Sequence, residues 1–171
     1  RSDLPMTMNS SIPIFGLALI LITPIARAES WSVTSPNGLV NVAIQLGEPA
    51  AGRDYPAGKS RLYYHVDHGP AGGRSTVLAE SPLGLRLRDA DFLDGLQFVA
   101  ATEPSPIEER YSMPHGKRRE CHNRAQARTL TFRNAAGQLL ELDVRAYDDG
   151  AAYRYRLPGS GAAPRMLEAE E

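Results

Sequence analysis

The chain has little cysteine, little excess charge of either sign, and no long hydrophobic run. One cysteine, Cys121, in 171 residues excludes an internal disulfide framework and any zinc site built from several thiolates. Lys and Arg number 19 against 20 Asp and Glu, a formal net charge of −1. No broad field therefore pulls the chain toward phosphate backbones or anionic membranes, and neither a nucleic-acid reader nor a membrane-surface binder is expected. The longest apolar run, Ile14 to Ile22, is less than half the roughly 20 residues that a bilayer-crossing helix needs. Also missing are Gly-x-Ser-x-Gly, a phosphate loop, a dinucleotide fingerprint and His-Glu-x-x-His. His65 and His68, three apart at the end of a strand pattern, are too few to hold a metal.

What is present is an ordinary globular composition, 42% hydrophobic and 23% charged, with Gly 15 and Pro 13; it describes one turn-rich domain. The first 28 residues stand apart from it. The apolar run ends near Ala26-Arg27-Ala28, small residues at both ends of a signal-peptidase site, so cleavage between Ala28 and Glu29 and export to the periplasm, the cell surface or beyond are expected. No Lys or Arg separates Met6 or Met8 from the apolar core, and Pro13 and Pro24 flank it; the competing reading of this segment is a buried strand. The expected division is 1–28, signal peptide with upstream residues, and 29–171, one domain.

From Trp31 onward the hydrophobic period is two. Leu39 to Leu46 is β-branched-rich and follows Pro36-Asn37-Gly38, which predicts a hairpin with Trp31 to Thr34. Arg61 to Asp67 places Leu62, Tyr64 and Val66 on one face. Leu83 to Arg88 alternates and breaks at Asp89. Gln97 to Ala100, Arg128 to Phe132, Leu139 to Tyr147 and Ala152 to Leu157 continue the series, with turns at Asn134 to Gly137 and at Asp148-Asp149-Gly150, where Gly150 is expected at positive φ. No long stretch carries a helical stripe with caps, and Ala90 to Leu96 is expected to form one short helical turn at most. Seven or eight strands at these spacings predict an all-β antiparallel sandwich.

Two stretches, Glu48 to Ser60 and Thr102 to Arg124, read as irregular loops of a length that usually contacts a ligand or another domain. In the second, Glu108-Glu109-Arg110 and Lys117-Arg118-Arg119-Glu120 bracket Tyr111 to Gly116. Carboxylates and arginines that read hydroxyls, beside a tyrosine that stacks on a sugar face, are one reading; a solvated loop of weak ion pairs is the other. Cys121 and His122 as a thiol–base dyad require a hydrogen bond that neighbours in a strand cannot make.

The order of four segments resembles the N-terminal domain of glycoside hydrolase family 97, exported α-glucosidases and α-galactosidases. They are Ser35-Pro36-Asn37-Gly38, Ser81-Pro82-Leu83-Gly84-Leu85, Tyr111 to Arg118, and Arg145 to Tyr155. The resemblance implies a β-supersandwich similar to the galactose-mutarotase-like fold, cut short before a (β/α)₈ catalytic barrel that supplies the acid and the base or nucleophile. It further implies calcium in the full-length protein, held by glutamates mostly of the barrel and partly of the supersandwich, and an oligosaccharide substrate. The fragment alone is expected to be inactive. His115, Lys117 and Arg118 are the expected substrate-rim or interdomain contacts, and Gln126 stands where the resemblance leads one to expect an acidic residue. Two rival readings are a free-standing carbohydrate-binding sandwich and a mutarotase-like epimerase, the latter needing a His and Glu pair that no motif singles out.

Overall fold

The computed structural model describes residues 28–48, 58–115, 119–159, 161 and 164–170. Twelve strands form among them: β1 (Glu29–Thr34), β2 (Val40–Gly47), β3 (Arg61–His68), β4 (Ser75–Leu83), β5 (Leu85–Leu87), β6 (Ala90–Asp91), β7 (Gln97–Ala101), β8 (Ser105–Ser112), β9 (Glu120–Arg133), β10 (Leu139–Tyr147), β11 (Gly150–Arg156) and β12 (Leu167–Glu170). All pairings are antiparallel. One sheet runs β1-β2-β3-β4; a second runs β11-β10-β9-β7 with β8 also on β9; a small third runs β12-β5-β6. This is the expected all-β antiparallel sandwich. No helix forms among the described residues, and Ala90 to Leu96 is a two-residue strand followed by a buried irregular segment instead of a helical turn.

The two larger sheets face each other across an apolar layer. Strand β10 shows how alternation builds it: Leu140, Leu142, Val144 and Ala146 are fully buried, while Glu141, Asp143, Arg145 and Tyr147 face the other way. Aromatic rings close one end of the layer. Trp31 of β1 lies 4.6 Å from Phe98 of β7 and 5.7 Å, edge-on, from Phe132 of β9, centroid to centroid. Such pairs add about 0.5–1.5 kcal/mol each to the burial of their area.

The first hairpin forms as its sequence requires. Gly38 sits at φ +79°, a region that only glycine enters without steric cost, and its N–H donates to Ser35 O at 2.9 Å. The Ser35 hydroxyl donates to Asn37 Oδ1 at 2.7 Å and accepts from the Val40 N–H at 2.9 Å. Gly137, at φ +82°, closes β9–β10 in the same manner, and Gln138 N–H donates to the buried Asn134 side chain at 2.8 Å. At the third hairpin the expectation fails in detail. The turn forms over Asp148-Asp149, but Gly150 is not at positive φ; it is the first residue of β11, opposite Tyr147.

A second correction concerns Thr102 to Arg124. It is not an irregular loop: β8 and the first half of β9 pair from Ser105↔Ala127 to Ser112↔Glu120. Its polar residues hid the strand period because neither face of this hairpin is packed in the core. Strand β4 escaped sequence reading for the same reason: it is an exposed edge with register shifts against β3 and Val77 65% exposed. The stretch 49–57 and residues 1–27, which hold nearly all of the expected signal peptide, lie outside the described residues.

Candidate functional site

Strand β9 is the longest among the described residues, 14 residues, and its two halves have different neighbours. Leu130 to Arg133 pair with β7, Ala125 to Arg133 with β10, and Glu120 to Ala127 with β8. Glu120 to Arg124 therefore have β8 as their one partner strand, and the β8–β9 hairpin extends past the end of β10 as an arm.

Each face of the arm carries polar chemistry. Glu109 lies on one face, the face shared with Arg145 and Tyr147 of β10. Arg145 Nη1 donates to Glu109 Oε1 at 2.6 Å and to the Tyr147 hydroxyl at 3.1 Å. That hydroxyl first, and the carboxylate second, hold Arg145 more firmly protonated than usual. Residues i and i+2 of a strand share a face, so Arg145 and Tyr147 were findable as neighbours from sequence. Glu109, 36 positions away, was not.

On the opposite face Glu108 accepts from His122 Nε2 at 2.5 Å and lies 3.5 Å from Arg110. The His122 contact is the main reason the Glu108 carboxyl is held below the usual range. Ser112 Oγ donates to Glu120 at 2.7 Å, and Met113 N–H donates to Arg119 O at 2.7 Å, fastening the tip. Behind this cluster the same face of β9 carries Arg124, Gln126 and Arg128 in alternate positions. Cys121 stands opposite Tyr111 and His122 opposite Arg110, on opposite faces, which is no geometry for a dyad.

Of the expected contact residues, His115 lies exposed at the arm's tip. Lys117 and Arg118 lie outside the described residues. The arm itself, and not its tip alone, is where the structure concentrates charge.

Two concave surfaces lie beside it. A groove of about 190 Å³ runs over Asp143, Arg145, Tyr147, Ala152 and Arg154 on the outer face of β10 and β11. Burial would raise the Asp143 carboxyl, but hydrogen bonds from Arg154 and Thr129 and the charge of Arg156 outweigh it and hold it low. An apolar cleft of about 380 Å³ opens where the edge strands β4 and β11 leave the sandwich uncovered, lined by Ile44, Tyr64, Val66, Leu78, Val144 and Tyr153 among others. Burial there pushes the Tyr153 phenol up.

The carboxylates displaced from their ordinary range all move down. Asp89 is lowered by its hydrogen bond from Arg165. Asp91 is lowered against the pull of burial, by the Leu93 N–H and Arg86. Glu108 and Asp143 complete the set. A glycosidase general acid needs the opposite displacement. Glu108 and Glu109, neighbours on β8, point to opposite faces and cannot act as an acid–base pair across one bond. Nor does a group of three or more His, Cys, Asp or Glu converge among the described residues. These residues do not by themselves fit a calcium site, which needs six or more oxygen ligands.

The comparisons with known proteins agree with this architecture. A family model described as Glycosyl-hydrolase 97 N-terminal matches residues 33–171, and the chain belongs to that family. It is 35% identical over 163 residues to a probable retaining alpha-galactosidase of Streptomyces bingchenggensis (strain BCW-1), covering 94% of this chain and 23% of that protein. Its fold is similar to a glycoside hydrolase family 97 enzyme from Pseudoalteromonas sp. strain K8, solved in complexes with panose and with acarbose. In both the TM-score is 0.61 at 19% identity, over 82% of this chain and 19% of that one. The chain thus spans about a quarter of the curated relative's length.

Proposed function

We propose that this domain serves an exported α-glycosidase as a non-catalytic support, the β8–β9 arm reaching a catalytic domain that carries the reacting carboxylates. The observation that carries the reading is the 35% identity to a probable retaining alpha-galactosidase across 94% of this chain. The direction of the carboxylate shifts supports it: Asp89, Asp91, Glu108 and Asp143 are all held toward the charged form, the opposite of what an acid catalyst requires.

In this reading the arm's fixed hydrogen bonds supply rigidity at the domain boundary. Glu109, Arg145 and Tyr147 form a chain across two strands, so a partner placed on the arm is held in register with the sandwich. An oligosaccharide reaching the boundary would meet Tyr111 and His115, both exposed. Calcium belongs to the proposal only through ligands outside the described residues, and no step is assigned to it here. Export rests on the apolar segment and the Ala26-Arg27-Ala28 site.

The test is a domain replacement. The segment of the Streptomyces relative that this chain matches is exchanged for residues 33–171, and hydrolysis of 4-nitrophenyl α-galactoside and α-glucoside is measured. The expected result is activity in the folded chimera and none from this chain alone. Turnover by the isolated chain, abolished by an arm carboxylate substitution, would overturn the non-catalytic assignment. A folded, inactive chimera would overturn the support role.

A further inference from the structure

The outer face of β10 and β11 holds its charges in fixed pairs. Arg145 is bonded to Glu109, Arg154 to Asp143, and Arg156 to both Asp143 and Glu141. Each guanidinium is balanced by a carboxylate, so the face carries no net charge. The Asp143 side chain, only 15% exposed, stands where it would repel an incoming anion, and like charges brought together at an interface are costly. A phosphate or carboxylate ligand is therefore disfavoured here.

The pairs leave much of their hydrogen-bonding capacity unused. Among the described residues Arg145 bonds through Nη1 alone and Arg154 through Nη2 alone, whereas a guanidinium carries several further N–H donors. Glu109 engages one of its two oxygens, and the Tyr147 hydroxyl accepts from Arg145 while keeping its own proton to donate. Donors and acceptors thus stand side by side, held in place by their mutual bonds. A sugar hydroxyl both donates and accepts, and neighbouring hydroxyls on one ring call for that mixture.

The relief of the face says where a ring would sit. Ala152 is opposite Arg145 in register and Arg154 opposite Asp143, so the small Ala152 side chain leaves a dip walled by Asp143, Arg145, Tyr147 and Arg154. This is the groove of about 190 Å³, with room for one pyranose ring. The Ala152 methyl and the Tyr147 ring give it apolar surface for the C–H face of a sugar. From the groove, the bond between Arg145 and Glu109 leads onto the arm. Tyr111 follows Glu109 by two positions, on the same face and about 6.7 Å further along β8, and is 46% exposed.

We propose that this face binds a neutral oligosaccharide, one ring in the groove over Ala152 and the next units crossing Glu109 toward a stacking contact on Tyr111. The site holds a sugar chain without cutting it. That a sugar chain reaches this domain rests on the proposed function above; that the ligand is uncharged and rich in hydroxyls rests on the charge balance and the donor–acceptor array.

The experiment titrates the full chain, ¹⁵N-labelled, with maltotriose, with raffinose and with trigalacturonate, an anionic sugar of similar size, while backbone amide signals are followed by NMR. Saturable shifts with a Kd on the order of 1 mM are expected with maltotriose or raffinose in β10, β11 and Tyr111, and no saturation with trigalacturonate. Ala152→Leu fills the dip and should weaken binding at least about tenfold. Tyr111→Ala should weaken it about threefold by removing the stacking surface; Tyr111 is exposed, so this variant keeps the test readable if Ala152→Leu does not fold. No saturable shift with either neutral sugar, tighter binding of trigalacturonate, or binding indifferent to whichever of the two variants folds would overturn the proposal. The titration involves no hydrolysis, so its failure leaves the domain-replacement result standing. An inactive chimera with an intact titration refutes the support role and leaves the sugar-binding face in place.

Discussion

Along β9 a single face changes character within one strand. Phe132 and Leu130 are completely buried between the sheets; two residues further back the same face carries Arg128, then Gln126, Arg124 and His122. The backbone pairing is continuous throughout, with β10 or β8 alongside at every step. Hydrogen bonding therefore does not distinguish the halves. The facing sheet does: β1 packs on the inner half of β9, with Trp31 against Phe132, and among the described residues no such ring stands over the arm. The difference teaches that in this domain strand pairing sets the shape while burial sets the stability, so the two can be perturbed separately.

The largest expected effect comes from the buried half. Phe132→Ala removes the ring that meets both Trp31 and Phe98 and should cost about 3–5 kcal/mol, read from the denaturant midpoint. A loss under about 1 kcal/mol would show that the sandwich does not depend on this layer. Next is Asn134→Ala. Asn134 is buried, donates to Asp91 O at 3.1 Å and to Gln138 Oε1 at 2.9 Å, and accepts from Gln138 N–H. About 1–3 kcal/mol should be lost, since its partners are left unsatisfied.

A smaller effect is expected on acidification. The folded-state pKa of Asp143 is depressed, so its stabilisation is fully present above the ordinary carboxylate value of about 4 and is lost as pH falls through the lowered folded value. Unfolding followed from about pH 5 to about pH 2 should show destabilisation that Asp143→Asn flattens. Its size should stay under about 1 kcal/mol because Arg154 and Arg156 are solvent-exposed partners. The smallest effect belongs to the arm. Arg145→Gln should leave the global midpoint within about 0.5 kcal/mol while amide exchange accelerates in β8 and not in β10. Equal acceleration in both strands would mean that the arm and the sandwich open as one unit.

Legibility from sequence followed the same division. Strands β2, β5, β10 and β11 were readable because each alternates or carries β-branched residues beside a turn signal, and the two glycine turns at Gly38 and Gly137 were readable because positive φ leaves a glycine mark. Strands β4 and β8 were not, since an edge or an arm with no buried face shows no binary pattern. Of the candidate site, His115 was expected in an irregular loop on the strength of a resemblance, and it stands instead at the tip of the β8–β9 hairpin, whose register no local pattern showed. The Glu109–Arg145–Tyr147 chain was missed, because its members meet only through the β8–β9–β10 register.

One long-range contact shows where tertiary structure adds what sequence leaves open. Asn37 N–H donates to Asp148 Oδ1 at 2.8 Å across 111 positions, so two segments that read separately as turns, Ser35 to Gly38 and Asp148 to Gly150, brace each other at one end of the sandwich. By itself the sequence determined the all-β class, the turns and the buried face of each regular strand, because these depend on neighbours two to five residues apart. Only the tertiary structure decided which arginines find acids and which do not. Ion pairing depends on register between distant strands, and no local pattern encodes that register where both faces of a strand are polar.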